Sequence, residues 1–123
     1  MKPDSEYKQA VNILGSAWTI IEKDVKQDEY LADHYGYCDD SVRRIVVALE
    51  DSLPRKPETP EDMRCVLKRA KRHEIIHAFL FEAGLGWDSS SRPNWAINEE
   101  MVDWLSRQWP KIQAVFKEAR CES

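Results

Sequence analysis

The stretch PEDMRCVLKRAKRHEIIHAFLFEAG, residues 60–84, predicts one long helix against which the rest of the chain packs. Thr59 offers an N-cap, a proline is tolerated in the first turn, and Asp62 stands three residues after the cap. Neither proline nor glycine follows until Gly84, which can end the helix. The apolar side chains of the second half point in nearly every direction around the axis, which favours a central helix covered on several sides.

Three segments before this helix have the composition of strands. Residues 17–25, AWTIIEKDV, and residues 43–49, RRIVVAL, are dense in β-branched and aromatic residues. Residues 34–38, HYGYC, lead into Asp and Ser residues that favour a tight turn. Together these segments predict a short antiparallel sheet.

Both ends of the chain predict further helices. The first is a short helix capped by Asp4 or Ser5, with an apolar face made of Tyr7, Val11 and Leu14. The last is a C-terminal helical region that is interrupted near Pro110, because proline cannot donate a helical hydrogen bond. The expected fold is therefore α+β, with the sheet packed against the central helix and the C-terminal helices.

The bulk composition favours one folded domain, residues 1–123. Hydrophobic residues make up 42% of the chain and charged residues 33%, which is typical of a globular protein. The net charge is −4 and the longest basic tract is KRAKR, residues 68–72, which argues against nucleic acid as the main partner. No apolar run approaches the roughly 20 residues of a membrane span, and the first residues lack the apolar region of a signal peptide. We therefore expect a cytoplasmic protein without a membrane partner, in which Cys38, Cys65 and Cys121 are free thiols.

The motif HEIIH places two histidines four residues apart in the central helix. Positions four apart are neighbours on one helical face, so His73 and His77 can present two imidazoles to one metal ion. Glu74 lies about 100° further round the axis, where it can reach a water on that ion. The alternative is a chance grouping, but the surrounding Ile, Ala, Phe and Leu side chains would make unpartnered polar groups costly to bury.

A hydrolytic zinc site usually has three protein ligands and one position left for water. A third histidine in the pattern HExxHxxGxxH is excluded, because Leu80 and Ala83 occupy the glycine and final histidine positions. On spacing alone, His34 stays open as the third ligand.

The segment NEEMVD, residues 98–103, offers carboxylates at the start of the following helix. Glu99 can supply a ligand, and Asp103 one turn later can accept the free N–H of a ligand imidazole. Glu100 is a rival ligand, since a shift of one residue would leave Asp103 at i+3. The alternative interpretation is a solvated acidic first turn that complements the helix dipole.

HEIIH followed by NEEMVD resembles the gluzincin zinc metallopeptidases, which combine HExxH with a later NExxxD. The run from Glu99 is also similar to the E-x-x-A-N-x-F-A signature of ImmA/IrrE-type peptidases, with Asp103 in place of the asparagine. In length and motif order the chain resembles small predicted metallopeptidases of bacteria and phages. The resemblance implies a zincin-like domain, with Zn²⁺ bound by His73, His77 and Glu99 and with Asp103 behind a ligand histidine.

The resemblance also implies an activity, the hydrolysis of peptide bonds in a protein or peptide substrate, with Glu74 as general base. It implies that RRIVV, residues 43–47, lies along the cleft as a substrate-pairing edge. Four residues are candidates for stabilising the oxyanion: His34, Tyr35, Tyr37 and Arg92. Two other functions stay open: a non-proteolytic zinc-binding regulatory or interaction protein of phages or mobile elements, and a hydrolase of another bond. The intact Glu74 favours the peptidase, because a structural zinc site needs no base.

Overall fold

The computed structural model describes residues 6–87 and 92–123, which form a four-stranded sheet and two long helices. The strands are β1 (Glu6–Ile13), β2 (Ser16–Lys23), β3 (Gly36–Asp39) and β4 (Arg44–Ala48), and the helices are α1 (Met63–Glu82) and α2 (Glu99–Glu118). Short 3-10 turns lie at Val25–Gln27, Glu29–Ala32, Glu50–Ser52 and Trp95–Ile97. The α+β class and the three expected strands are confirmed. Within the described ranges, neither helix is apolar enough to cross a membrane.

The sheet is mixed, and the prediction of a purely antiparallel sheet was wrong. Its strand order is β1-β2-β4-β3, in which β2 and β4 run parallel and the two outer pairs are antiparallel. The parallel pair arises because the chain leaves β2, forms the edge strand β3, and returns as β4 between them. The expected substrate-pairing edge at residues 43–47 was also wrong, because β4 is an interior strand. Burial on both faces explains its unbroken apolar run, since Ile45–Ala48 are at most 2% exposed.

The N-terminal segment is a strand, so the prediction of a helix there was wrong. Residues of β1 pair with β2 from Glu6↔Lys23 to Ile13↔Ser16 around a two-residue turn. Leu14 and Gly15 both have positive φ, 52° and 92°, as the favoured hairpin turn requires. The helix-like spacing of apolar residues misleads because Leu14 belongs to this turn and is 61% exposed. The proposed caps, Asp4 and Ser5, lie outside the described residues.

Helix α1 covers one face of the sheet and completes the core. Met63, Leu67 and Ala78 are buried in one cluster with the inward side chains of the sheet, including Trp18. The expected N-cap at Thr59 was wrong: the Asp62 side chain caps the helix by accepting a hydrogen bond from the Cys65 N–H, at 3.0 Å. The end was predicted correctly, because the helix stops at Glu82, just before Gly84.

Helix α2 runs through Pro110 without a break, which corrects the prediction of an interruption there. A proline inside a helix deprives the carbonyl four residues earlier of its N–H donor. That carbonyl belongs to Ser106, and it accepts a hydrogen bond from the Arg72 side chain of α1 instead, Nε to O 2.8 Å. The replacement donor lets the helix continue and ties α2 to α1.

Candidate metal centre

Three side-chain atoms from α1 and α2 converge on one point. His73 Nε2 and His77 Nε2 lie 3.1 Å apart, and Glu99 Oε1 lies 2.9 Å from the first and 3.0 Å from the second. The histidines project from the middle of α1, whereas Glu99 is the first residue of α2. Among the described residues, these three form a group that could hold a metal ion.

The hydrogen bond made by the second nitrogen of the His77 ring determines whether the nitrogen that faces this point carries a proton. His77 Nδ1 lies 2.6 Å from the carbonyl oxygen of Ala96, in the 3-10 turn before α2. A carbonyl oxygen can only accept, so Nδ1 carries the proton and donates it. In the neutral ring, Nε2 is then an unprotonated nitrogen whose lone pair points toward His73 and Glu99.

His73 has a similar arrangement on its outer side. Its Nδ1 lies 3.5 Å from Asp103 Oδ1, and the other oxygen of Asp103 accepts a hydrogen bond from Arg107 Nε at 2.7 Å. This arrangement favours a proton on Nδ1 and a lone pair on Nε2. The pKa of the Asp103 carboxyl lies below its usual range, chiefly because of the hydrogen bond from Arg107, so Asp103 stays an acceptor.

The three converging atoms fit a metal ion better than they fit one another. Two imidazole lone pairs and one carboxylate oxygen are all acceptors, and a single shared proton would satisfy only one of the three pairs. A cation satisfies all three together. Zinc bonds of about 2.0–2.1 Å in a tetrahedral arrangement place ligand atoms about 3.3 Å apart, close to the observed spacings. With two imidazoles and one carboxylate as ligands, the fourth coordination position of a tetrahedral zinc ion would stay open.

The structure distinguishes between the two neighbouring glutamates. Burial raises the pKa of the Glu99 carboxyl, but electrostatic attraction by the neighbouring His77 and His73 imidazoles outweighs this effect. Its pKa therefore lies below the ordinary range, and Glu99 is ionised as a ligand must be. Both glutamates are exposed, but Glu100 does not belong to the group that could hold a metal ion, and neither does His34.

Glu74 is buried next to the two histidines without belonging to the ligand group. Burial raises the pKa of its carboxyl, while His73 and His77 act in the opposite direction and Glu99 reinforces the increase. Its side chain is held from the other side by β3: a Cβ added to Gly36 would lie 3.3 Å from Glu74 Cγ and 2.9 Å from the Val46 carbonyl oxygen. No role for Gly36 was predicted from the sequence, although an isolated glycine in a strand pattern indicates that another group approaches the backbone closely.

A cleft of about 390 Å³ opens over the cluster. It lies between α1, the edge strand β3 and the turn before α2, and its lining includes His34, Tyr37, Cys38, Phe81 and Ile97. The ligand group and Glu74 also line it, so the candidate metal position is accessible from solvent.

Two of the four oxyanion candidates line this cleft. His34 lies there stacked on Tyr30, with ring centroids 4.2 Å apart. The Tyr37 hydroxyl donates to Asp28, and burial together with this hydrogen bond raises its pKa to about 12. Tyr35 lines other hollows instead, and Arg92 donates from Nη1 to Asn94 Oδ1 at 2.7 Å. The Tyr37 hydroxyl is thus committed to Asp28, whereas the hydrogen bond of His34, from Nδ1 to the Tyr30 carbonyl oxygen, is long at 3.4 Å.

Cys38 also lines the cleft but does not belong to the group that could hold a metal ion. Burial, reinforced by the nearby Glu74 and Asp40 carboxylates, raises the pKa of its thiol to about 12. The thiol is therefore protonated at neutral pH, whereas nucleophilic attack requires the thiolate. All three cysteines are free, and Cys65 and Cys121 are exposed.

Comparison with known proteins identifies no relative: no family model, curated protein or solved structure matches this chain.

Proposed function

We propose that this protein is a zinc-dependent metallopeptidase of the gluzincin type, hydrolysing peptide bonds in a protein substrate. The observation that carries the proposal is the convergence of three acceptor atoms, from His73, His77 and Glu99, beside a buried carboxyl at the floor of an open cleft. A purely structural metal site is usually closed by a fourth protein ligand and has no use for a nearby base.

The roles of the individual side chains follow from their contacts. When bound, a zinc ion supplies Lewis acidity, which lowers the pKa of a water molecule to near 7 and polarises a carbonyl group. Glu74 accepts the proton from the attacking water and returns it to the leaving amine, for which a carboxyl with a raised pKa is suited. The Ala96 carbonyl and Asp103 orient the two imidazoles.

The position of β3 supports a peptide as the substrate class. This strand is an edge of the sheet and borders the cleft through Gly36, Tyr37 and Cys38. The backbone groups on the free side of an edge strand can pair with an extended peptide, so that the main chain supplies affinity. The strand proposed to pair with the substrate is therefore β3, not β4 as expected from the sequence.

Metal removal and restoration test the proposal directly. The full chain is stripped with a chelator, reloaded with zinc, and incubated with denatured casein while new α-amino groups are counted. We expect cleavage only in the reloaded protein, with a loss of about a hundredfold or more on stripping. Zinc binding without new amino groups on any of a panel of denatured proteins would contradict the peptidase and favour the non-proteolytic zinc-binding protein.

The close approach of Gly36 to Glu74 gives a second test. In Gly36→Ala the new methyl group cannot displace the Val46 backbone oxygen, so β3 or Glu74 must move by a few tenths of an ångström. We expect at least a tenfold loss of kcat with zinc binding retained, because small displacements of a catalytic group are costly. Cys38→Ala, in the same strand and at the same cleft, is the control and should stay near wild type. Unchanged kcat in Gly36→Ala would show that the contact does not position Glu74.

A further inference from the structure

An apolar groove runs between α1 and α2, apart from the metal cleft. Its volume is about 480 Å³, and no residue in the described chain lines both hollows. Phe79 and Trp109 are 41% and 42% exposed there. The full lining is Ile75, Ile76, Phe79 and Leu80 of α1, Leu105 and Trp109 of α2, and Arg72. Contiguous exposed apolar surface of this kind indicates a binding site.

The apolar wall contributed by α2 continues beyond the groove. Ile112 and Phe116 follow Trp109 at steps of three and four residues, which keeps all three on one face of the helix. Phe116 is 42% exposed, and the neighbouring Val115 is 57% exposed. The surface is therefore long enough to accept several turns of a second helix, not one side chain alone.

The same pair of helices carries a concentration of positive charge. Residues 63–73 of α1 and 104–117 of α2 contain eight Lys and Arg residues and no Asp or Glu, in a chain whose net charge is −4. Two of the eight are paired within the chain, with Glu22 and Asp103. The two segments lie side by side, as the Arg72 to Ser106 hydrogen bond shows. Arg64 and Lys68 are exposed, and with Arg72 they form a line at four-residue steps leading out of the groove.

We propose that this groove binds an acidic amphipathic helix of a partner protein. The apolar floor fits the i, i+3, i+4, i+7 anchors of such a helix, and the line of cations fits carboxylates beside them. A second copy of the chain is disfavoured, because it would bring its own Arg64, Lys68 and Arg72 towards the like charges of the first copy. Nucleic acid fits poorly, because Ile, Leu and Phe side chains on the floor offer nothing to phosphate groups.

Selection from a peptide library tests the proposal even though the partner is unidentified. The library consists of phage-displayed peptides of roughly 18 residues, about five helical turns. Leu, Ile or Phe stands at helical spacing, and equal mixtures of Glu, Lys, Gln and Ser fill the other positions. The zinc-loaded full chain is the target, and Phe79→Ser/Trp109→Ser protein is used for counter-selection. We expect the selected peptides to be rich in Glu and poor in Lys. The proposal would be overturned if the selected peptides showed no excess of Glu. It would also be overturned if no peptide bound the wild type in preference to the variant.

Matched charge variants then locate the binding site. Arg64→Glu/Lys68→Glu should weaken a selected peptide by about tenfold or more, whereas Lys8→Glu/Lys56→Glu, with the same change in net charge, should not. All four side chains are exposed, so the fold should persist; three of them lie in a strand or helix, and Lys56 lies in a turn. Equal effects of the two pairs would overturn the proposal. So would a dimer dispersed by Phe79→Ser/Trp109→Ser, or tight binding of duplex DNA that this variant leaves unchanged.

Discussion

Glu74→Gln should retain zinc and lose peptide hydrolysis, with kcat reduced by about 10²–10⁴-fold. The substitution keeps the size and shape of the side chain, so the close packing against Gly36 is preserved. It removes the carboxylate that accepts the proton. Because Glu74 is not in the ligand group, the metal content should stay at the wild-type level. Elemental mass spectrometry and initial rates on denatured casein measure the two quantities on the same sample.

Glu100→Gln is the matched control for this experiment. It makes the same chemical change next to the proposed ligand Glu99, but on an exposed side chain outside the group that could hold the metal. We expect wild-type kcat and wild-type zinc. If Glu74→Gln cleaved as fast as the control, Glu74 could not be the base. If it lost zinc together with activity, its role would be to maintain the site.

The group of three residues that could hold a metal ion was predictable from sequence, because most of its geometry is local. His73 and His77 share a face through the four-residue period of one helix, and Glu99 begins the next helix, where it could be assigned from the short NEEMVD segment. The oxygen that orients His77 belongs to the Ala96 backbone. Every residue has a carbonyl, so no sequence pattern could single out this one.

The errors in the fold have a common origin in non-local contacts. The N-terminal segment has helix-like spacing, but pairing with β2 across the Leu14–Gly15 turn decides its structure. Pro110 has the local character of a helix breaker, yet Arg72 on the other long helix supplies the missing donor to Ser106. The parallel pairing of β2 with β4 likewise depends on where β3 lies, which strand composition alone does not specify.

Glu99→Ala should abolish tight zinc binding, which makes it the most direct test of the site. We expect about one zinc per chain in the wild type and a loss of affinity of more than a hundredfold in the variant. Losing a group that only orients a ligand already costs about 10–100-fold, and the ligand itself should cost more. Elemental analysis after dialysis against a weak chelator, beside competition with a zinc-sensitive dye, measures both values.

Thermal unfolding gives an independent measurement of the same binding. Zinc at about a thousand times its Kd stabilises the folded chain by about 4 kcal/mol, provided that the unfolded chain does not bind it. Wild type and Glu100→Ala should therefore show the same rise in Tm on adding zinc, whereas Glu99→Ala should show little. The opposite pattern, with zinc stabilising Glu99→Ala and not Glu100→Ala, would assign the ligand to Glu100. No rise in Tm and no bound zinc in the wild type would contradict both the metal site and the peptidase that depends on it, while leaving the groove between α1 and α2 to be tested separately.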